Sequence, residues 1–258
     1  MLKITDLTVK KENTKILKSL DLEVREGQLH ILMGKNGSGK SSLAFAITGN
    51  PDFIVGTGAI EVAGEDILTL KPHERAERGV FLAFQYPGEV AGLPIQRFLR
   101  NLYNKKHQTN ISPIKFKEIL KEKAEELQIP QVLLDRNLNE NFSGGEKKKM
   151  EILQMMLLEP KLAILDEIDS GVDIDALRTI TKVINKLKEQ KNMAVLLITH
   201  STKILKYIDP DRVHILEDGK IVRAGGEELL YELEEKGFTG ITKDEELLGE
   251  KEKEQDFS

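Results

Sequence analysis

The sequence predicts an α/β protein with a parallel-sheet core, an antiparallel β subdomain and an inserted helical subdomain. Three observations predict this. Short apolar runs at residues 29–33, 162–165 and 194–198 read as buried strands, the pattern of a sheet covered on both faces. The first two-residue periodicity lies near the N-terminus, at 2–9 and 20–25, where apolar and polar residues alternate as in half-buried strands. From about 87 to 141 the period becomes helical, most clearly over 114–127.

Element by element, the strand at 29–33 runs into Gly34-Lys35-Asn36-Gly37-Ser38-Gly39-Lys40-Ser41, which fits G-x-x-x-x-G-K-[ST], the phosphate-binding loop. A helix follows over 42–48 and stops at Gly49. Residues 56–62 and the turn at 63–65 extend the β subdomain, and the apolar run 80–84 ends at Gln85. The helical subdomain occupies about 87–150. Ser143-Gly144-Gly145-Glu146 opens a further helix over 147–158, with Ser143 and Glu146 spaced as a capping box. The strands at 162–165 and 194–198 flank an amphipathic stretch, 175–191. A right-handed strand–helix–strand crossover makes them parallel neighbours. Residues 213–216 and 221–222 form a hairpin around Asp218-Gly219. After Gly226 the chain is helical and acidic. One domain spans 1–245, and 246–258 is an acidic, flexible tail.

Composition narrows the function. The chain has 258 residues, 40% hydrophobic and 31% charged, with net charge −5. No basic face suited to nucleic acid is evident. Lys147-Lys148-Lys149 is the one tight basic run, explained as well by a solvated helix face as by a partner. No run of 18 apolar residues exists and the N-terminus lacks a signal-peptide core, so a cytoplasmic address with no membrane insertion is expected. Cysteine is absent, which removes disulfides and thiolate chemistry together.

The loop chemistry follows from geometry. Glycines let successive N–H groups face one anion, and the helix after the loop adds its positive end. Lys40 can reach β- and γ-phosphates, and the Ser41 hydroxyl can ligate Mg²⁺. Asp166-Glu167 ends a buried strand in two carboxylates. Beside a phosphate loop, Asp166 suits Mg²⁺ and Glu167 suits orientation or deprotonation of water. Read alone, the pair is equally the start of a polar loop. Thr199-His200 ends the next strand at the sheet edge where ligands bind, so His200 can donate to the γ-phosphate. Gln85 can contact Mg²⁺ or the water. Gly144 and Gly145 leave first-turn N–H groups open to an anion, or the segment is only a well-capped helix start.

These pieces, in this order, resemble the ATP-binding-cassette ATPases: the phosphate loop, Gln85, the Ser143-Gly144-Gly145 signature, Asp166-Glu167, the segment Ser170-Gly171-Val172-Asp173, and His200. The resemblance covers about residues 2–245. It implies ATP and Mg²⁺ as ligands, bound through Gly34, Lys35, Asn36, Gly37, Ser38, Gly39, Lys40, Ser41 and Ser42, with Mg²⁺ on Ser41, Gln85 and Asp166. Glu167, His200 and Gln85 would be catalytic. It also implies a transient head-to-tail dimer, with Ser143, Gly144, Gly145 and Glu146 acting in trans and Asp173 at the nucleotide. The family's adenine-stacking aromatic is missing from 9–13, and Glu146 stands where many members have Gln. The runs 81–87, 142–148, 152–155 and Glu167-Ile168-Asp169-Ser170 resemble the branch serving SUF-type iron–sulfur cluster assembly. That branch implies SufB- and SufD-like scaffold partners. The rival readings are the ATP-binding subunit of a membrane transporter and a nucleotide-gated interaction module. Partner contact is expected over 88–98. Lys148 could pair with Glu167 and hold it from water, or be a solvated lysine of the helix face.

Overall fold

A computed structural model of the chain describes residues 1–238 and 240. Two strands, β1 (Leu2–Lys11) and β2 (Thr14–Val24), begin the chain, followed by β3 (Leu29–Met33) and α1 (Lys40–Thr48). Next come β4 (Phe53–Val62), the short β5 (Glu65–Asp66), α2 (Pro72–Glu77) and β6 (Val80–Ala83). Four helices follow: α3 (Ile95–His107), α4 (Pro113–Glu126), α5 (Gln131–Leu134) and α6 (Gly144–Leu158). The chain then alternates β7 (Leu162–Asp166), α7 (Ile174–Lys191) and β8 (Ala194–Ile198). A 3₁₀ turn (Thr202–Lys206) precedes β9 (Arg212–Glu217) and β10 (Lys220–Gly225), and the chain is helical again from residue 228. The expected tail over 246–258 lies outside the described residues.

The core sheet has the order β10-β9-β3-β8-β7-β6. All neighbours are parallel except the β9–β10 hairpin. That hairpin turns on Asp218 (φ 45°) and Gly219 (φ 79°), the two left-handed residues its type requires. β3, β7 and β8 are buried at every position. Their alternate side chains enter two cores. Ile31, Leu165 and Leu197 face the helices, whereas Leu32, Ile164 and Leu196 face α1 and the second sheet. That sheet is antiparallel, ordered β2-β1-β4-β5.

The first sheet departs from the simple alternation of its sequence. Asp6 and Ser19 have φ of 47° and 58°, and Gly58 has 93°, so three neighbouring strands bulge at one level. Ser19 donates its hydroxyl proton to Asp6 there. The bulge explains why Leu7, Thr8 and Val9 are buried consecutively; β2 begins at Thr14, paired with Lys11 across the turn, rather than near residue 20.

Arg75 of α2 secures the helix that starts at the phosphate loop. It is 5% exposed, and its guanidinium donates to the carbonyls of Ala46 and Ile47 at the end of α1, and to Leu68 and Leu70. Last-turn carbonyls lack the usual partner one turn on, and of Ala46 and Ile47 only Ala46 also accepts from the Gly49 N–H, at 3.2 Å. The left-handed Gly49 completes the C-cap.

Candidate functional site

The loop after β3 is shaped by close approach. A Cβ on Gly34 would lie 2.2 Å from the Leu216 carbonyl oxygen and 2.7 Å from Ser38 Oγ. Gly37 and Gly39 have φ of 82° and 110°, a region L side chains avoid. The Ser38 carbonyl accepts from Gly219 N–H at 3.0 Å. Lys40 is buried and its Nζ donates to the Gly34 and Lys35 carbonyls at 2.8 and 3.0 Å, closing the loop. Burial pulls the Lys40 ammonium below its usual range, while Glu167 and Asp166 act in the opposite sense. Ser38 Oγ is buried without a partner, a polar atom facing no protein group.

The strand ends bring the carboxylates and the histidine to this loop. Asp166 terminates β7, and its Oδ1 is buried without a partner. Burial raises its carboxyl above the usual range, opposed by the Ser41 hydroxyl and by the Lys148 and Lys40 charges. Such a group accepts a hard cation readily. Glu167 is in the left-handed region at φ 47°, and its N–H donates to the Ile198 carbonyl at 2.8 Å. One Glu167 oxygen accepts from Gln85 Nε2. The other lies 3.0 Å from Nδ1 of His200. The predicted trio Gln85, Glu167 and His200 is thus one hydrogen-bonded cluster. Non-glycine left-handed backbone costs on the order of 1–3 kcal/mol and gathers at functional sites. Here it turns Glu167 back toward Gln85.

The remaining predicted residues stand apart from that cluster. Ser143 is exposed and caps α6: its Oγ accepts from Glu146 N–H, and Glu146 Oε2 accepts from Ser143 N–H at 2.7 Å. A Cβ on Gly144 would sit 3.3 Å from the Gly171 carbonyl, whereas one on Gly145 would meet nothing within 4 Å. Asp173 caps α7, its Oδ1 accepting from Ala176 N–H at 2.8 Å. Lys11 lies where the missing aromatic was sought, and its ammonium is 5.2 Å from the Phe53 ring centre.

Lys148 corrects an expectation. It does not pair with Glu167. Its Nζ donates to the Phe84 and Gln85 carbonyls at 2.6 and 2.8 Å. Two backbone acceptors at close range satisfy the buried ammonium, and Glu167 is held by Gln85 and His200 instead.

Two carboxylates enter the site's surroundings that the sequence reading did not single out. Glu151 accepts from Phe84 N–H at 2.9 Å. Asp169 accepts from the Thr199 hydroxyl at 3.0 Å, and Thr199 Oγ1 accepts from Ser201 N–H, bracing the turn that carries His200. A charge within the apolar run Met150-Glu151-Ile152 was the available signal for the first; Asp169 stood out only as part of the branch-like run Glu167-Ile168-Asp169-Ser170, with no sign of its contact to Thr199. Nearby, Phe45, Pro72, Arg75, Phe81, Phe84 and Leu102 line part of a groove of about 850 Å³. Among the described residues, no helix is long and apolar enough to cross a membrane.

Known proteins resemble this chain in sequence and in fold. A family model described as ABC transporter matches residues 17–170. The chain is 48% identical to the "Probable ATP-dependent transporter slr0075" of Synechocystis over 96% of this chain and 97% of that protein. It is 44% identical to the "Probable ATP-dependent transporter SufC" of Escherichia coli, over 94% and 99% respectively. Among solved structures, it superposes on the dimeric cassette MJ0796 bound to ADP and Pi with TM-score 0.75, at 20% identity, over 88% of this chain and 98% of that one.

Proposed function

The chain belongs to the ABC transporter family of ATP-binding cassettes, and from that premise we propose that it hydrolyses ATP to drive shape changes in a SUF-type iron–sulfur assembly scaffold. The observation that carries the hydrolytic reading is the Gln85–Glu167–His200 cluster beside a formed phosphate loop. In this reading one ATPase domain spans 1–245, with a helical subdomain over about 87–150 and a tail over 246–258.

Lys40 exchanges its loop carbonyls for β- and γ-phosphate oxygens. The N–H groups from Gly34 to Ser42 surround the phosphates. Ser41, Gln85 and Asp166 offer three hard oxygen donors for Mg²⁺, which supplies charge neutralisation when bound. The orphaned Asp166 Oδ1 fits that set. Glu167 orients the attacking water and takes its proton. His200 holds Glu167 and donates toward the γ-phosphate. Ser143, Gly144, Gly145 and Glu146 of a second copy close over the nucleotide, with Asp173 at the same junction. The exposed Ser143 and the open space at Gly145 support that arrangement. Hydrolysis then releases the two copies.

The relatedness to SufC supports SufB- and SufD-like partners and a cytoplasmic site of action. Exposed Val90, with exposed Phe84 and Tyr86 just before the segment, supports partner contact over 88–98. A second reading, the ATP-binding subunit of a membrane transporter, is favoured by the word "transporter" in the relatives' names. Affinity purification from native cells separates the two: soluble scaffold proteins support the first, co-purifying membrane subunits the second. For hydrolysis itself, Glu167→Gln should lower kcat about 100-fold or more while ATP affinity stays within about twofold. Unchanged turnover would remove Glu167 from its assigned role.

A further inference from the structure

Helix α6 holds the Gln85 segment by its backbone. Lys148 and Glu151 lie three residues apart, so they share one helix face. Both are buried, at 3% and 5% exposure. Glu151 Oε1 accepts from the Phe84 N–H at 2.9 Å. Lys148 Nζ donates to the Phe84 and Gln85 carbonyls at 2.6 and 2.8 Å. The Phe84 residue is therefore gripped at its N–H and its C=O by the same helix. Phe84 is itself 47% exposed, so little burial otherwise immobilises it.

The grip joins two places with different duties. Gln85 meets Glu167 in this chain's own site. Ser143, the cap of α6, lies a little over one helical turn before Lys148. We propose that Glu151 and Lys148 are positioning residues that fasten the Gln85 segment to the Ser143 helix, so that the group serving this chain's nucleotide and the helix start serving a second copy's nucleotide move as one body. This rests on the trans arrangement proposed above. Hydrogen bonds to an ionised group are the strong ones, and the Lys148 ammonium makes two of them to adjacent carbonyls, beside the Glu151 acceptor at Phe84 N–H. Glu151 Oε2 is buried without a partner, and burial pushes the carboxyl up to about 8. A neutral acid keeps the acceptor that Phe84 needs, and glutamine reproduces it.

The test compares the full-length wild type with Glu151→Gln, Glu151→Ala and Lys148→Met. Amide exchange is followed over 84–88 and 143–150, with and without ATP, beside kcat and the ATP affinity without Mg²⁺. Glu151→Ala is expected to speed exchange at Phe84 at least tenfold, lower kcat about tenfold and leave the affinity within twofold. ATP should then protect the two segments unequally, whereas in the wild type both respond together. Glu151→Gln should behave as wild type. Lys148→Met should follow Glu151→Ala, and it decides the matter if the alanine variant does not fold. Faster exchange with unchanged kcat and a joint response to ATP would reduce the grip to a local anchor and overturn the proposal. So would a Glu151→Gln variant as impaired as Glu151→Ala. Should the wild type not turn over ATP, the hydrolytic reading falls, and the ATP response of the two segments still decides the grip.

Discussion

Single residues set the limits of this site. Gly34 is fixed by space: with a Cβ 2.2 Å from the Leu216 carbonyl, Gly34→Ala must displace the loop or β9. Triphosphate affinity should fall at least tenfold, checked by equilibrium titration; a variant within twofold of wild type would contradict the close approach. Elsewhere in the core sheet, His214 Nε2 lies 3.0 Å from His30 Nδ1, and both rings are buried. Burial holds His30 down at about 4 and His214 at about 3, from an ordinary 6.5. Their folded values are depressed, so the unfolded chain takes up protons that the folded one refuses. Stability from this pair is complete above pH 6.5 and drains away as pH falls toward 4, by up to about 1.4 kcal/mol per pH unit for each ring. Glu151 acts with the opposite sign. Its raised value stabilises the fold most at low pH and less as pH climbs from 4.5 to about 8. The two slopes overlap between 4.5 and 6.5, so only variant differences separate them. His214→Gln should flatten the acid-side fall seen in urea midpoints at pH 7, 6 and 5, relative to wild type. Parallel curves for the two proteins would mean the pair does not govern that window.

At the scale of elements, α1 depends on an arginine from another helix. Arg75 supplies donors to the last carbonyls of α1 and to the chain before α2, and burial lowers the guanidinium against a neighbouring Asp66. Arg75→Ala would remove the donor from four carbonyls, of which Ala46 keeps the Gly49 N–H, and leave a void, lowering stability by about 3 kcal/mol in urea denaturation. Arg75→Lys keeps the charge but loses the planar fork, and should recover less than half of that. Equal stability of the alanine variant and wild type would show that water caps α1 as well. The same element shows where sequence reading stops. α2 has six residues, too few for a helical period to declare itself. The first half of β2 was hidden because the left-handed Ser19 breaks the two-residue alternation. By contrast, β3, β7, β8 and α7 carry their periodicity within one contiguous stretch, and all four emerged within a residue or so of their predicted places. The phosphate loop and the strand-end carboxylates were legible for the same reason. The Glu151–Phe84 and Asp169–Thr199 contacts join residues 67 and 30 positions apart, and no local pattern announces such pairs.

For the molecule as a whole, the decisive question is what faces Ser143 and Gly145. Within one chain the helix start is capped, Ser143 and Glu146 satisfying each other's N–H groups, while Gly145 borders open space. A cap needs no glycine at its second helical position, and glycine is a weaker helix former than alanine. The fold alone therefore gives no reason for Gly145. A phosphate and its parent subunit arriving from outside do, because they need the N–H groups at close range. This separates two contributions that usually fall together under mutation. Gly145→Asp adds a side chain where nothing stands within 4 Å, and an acid in a first helical turn is electrostatically favourable. The isolated chain should keep its denaturation midpoint and its ATP affinity within about twofold. In the Glu167→Gln background, Mg²⁺ and ATP should assemble the parent into a dimer by sedimentation velocity. Adding Gly145→Asp should leave it monomeric, since a carboxylate now opposes the incoming triphosphate charge. If the double variant dimerises as readily as its parent, the signature helix does not meet the second copy's nucleotide, and the trans arrangement must be abandoned even though each half-site remains intact.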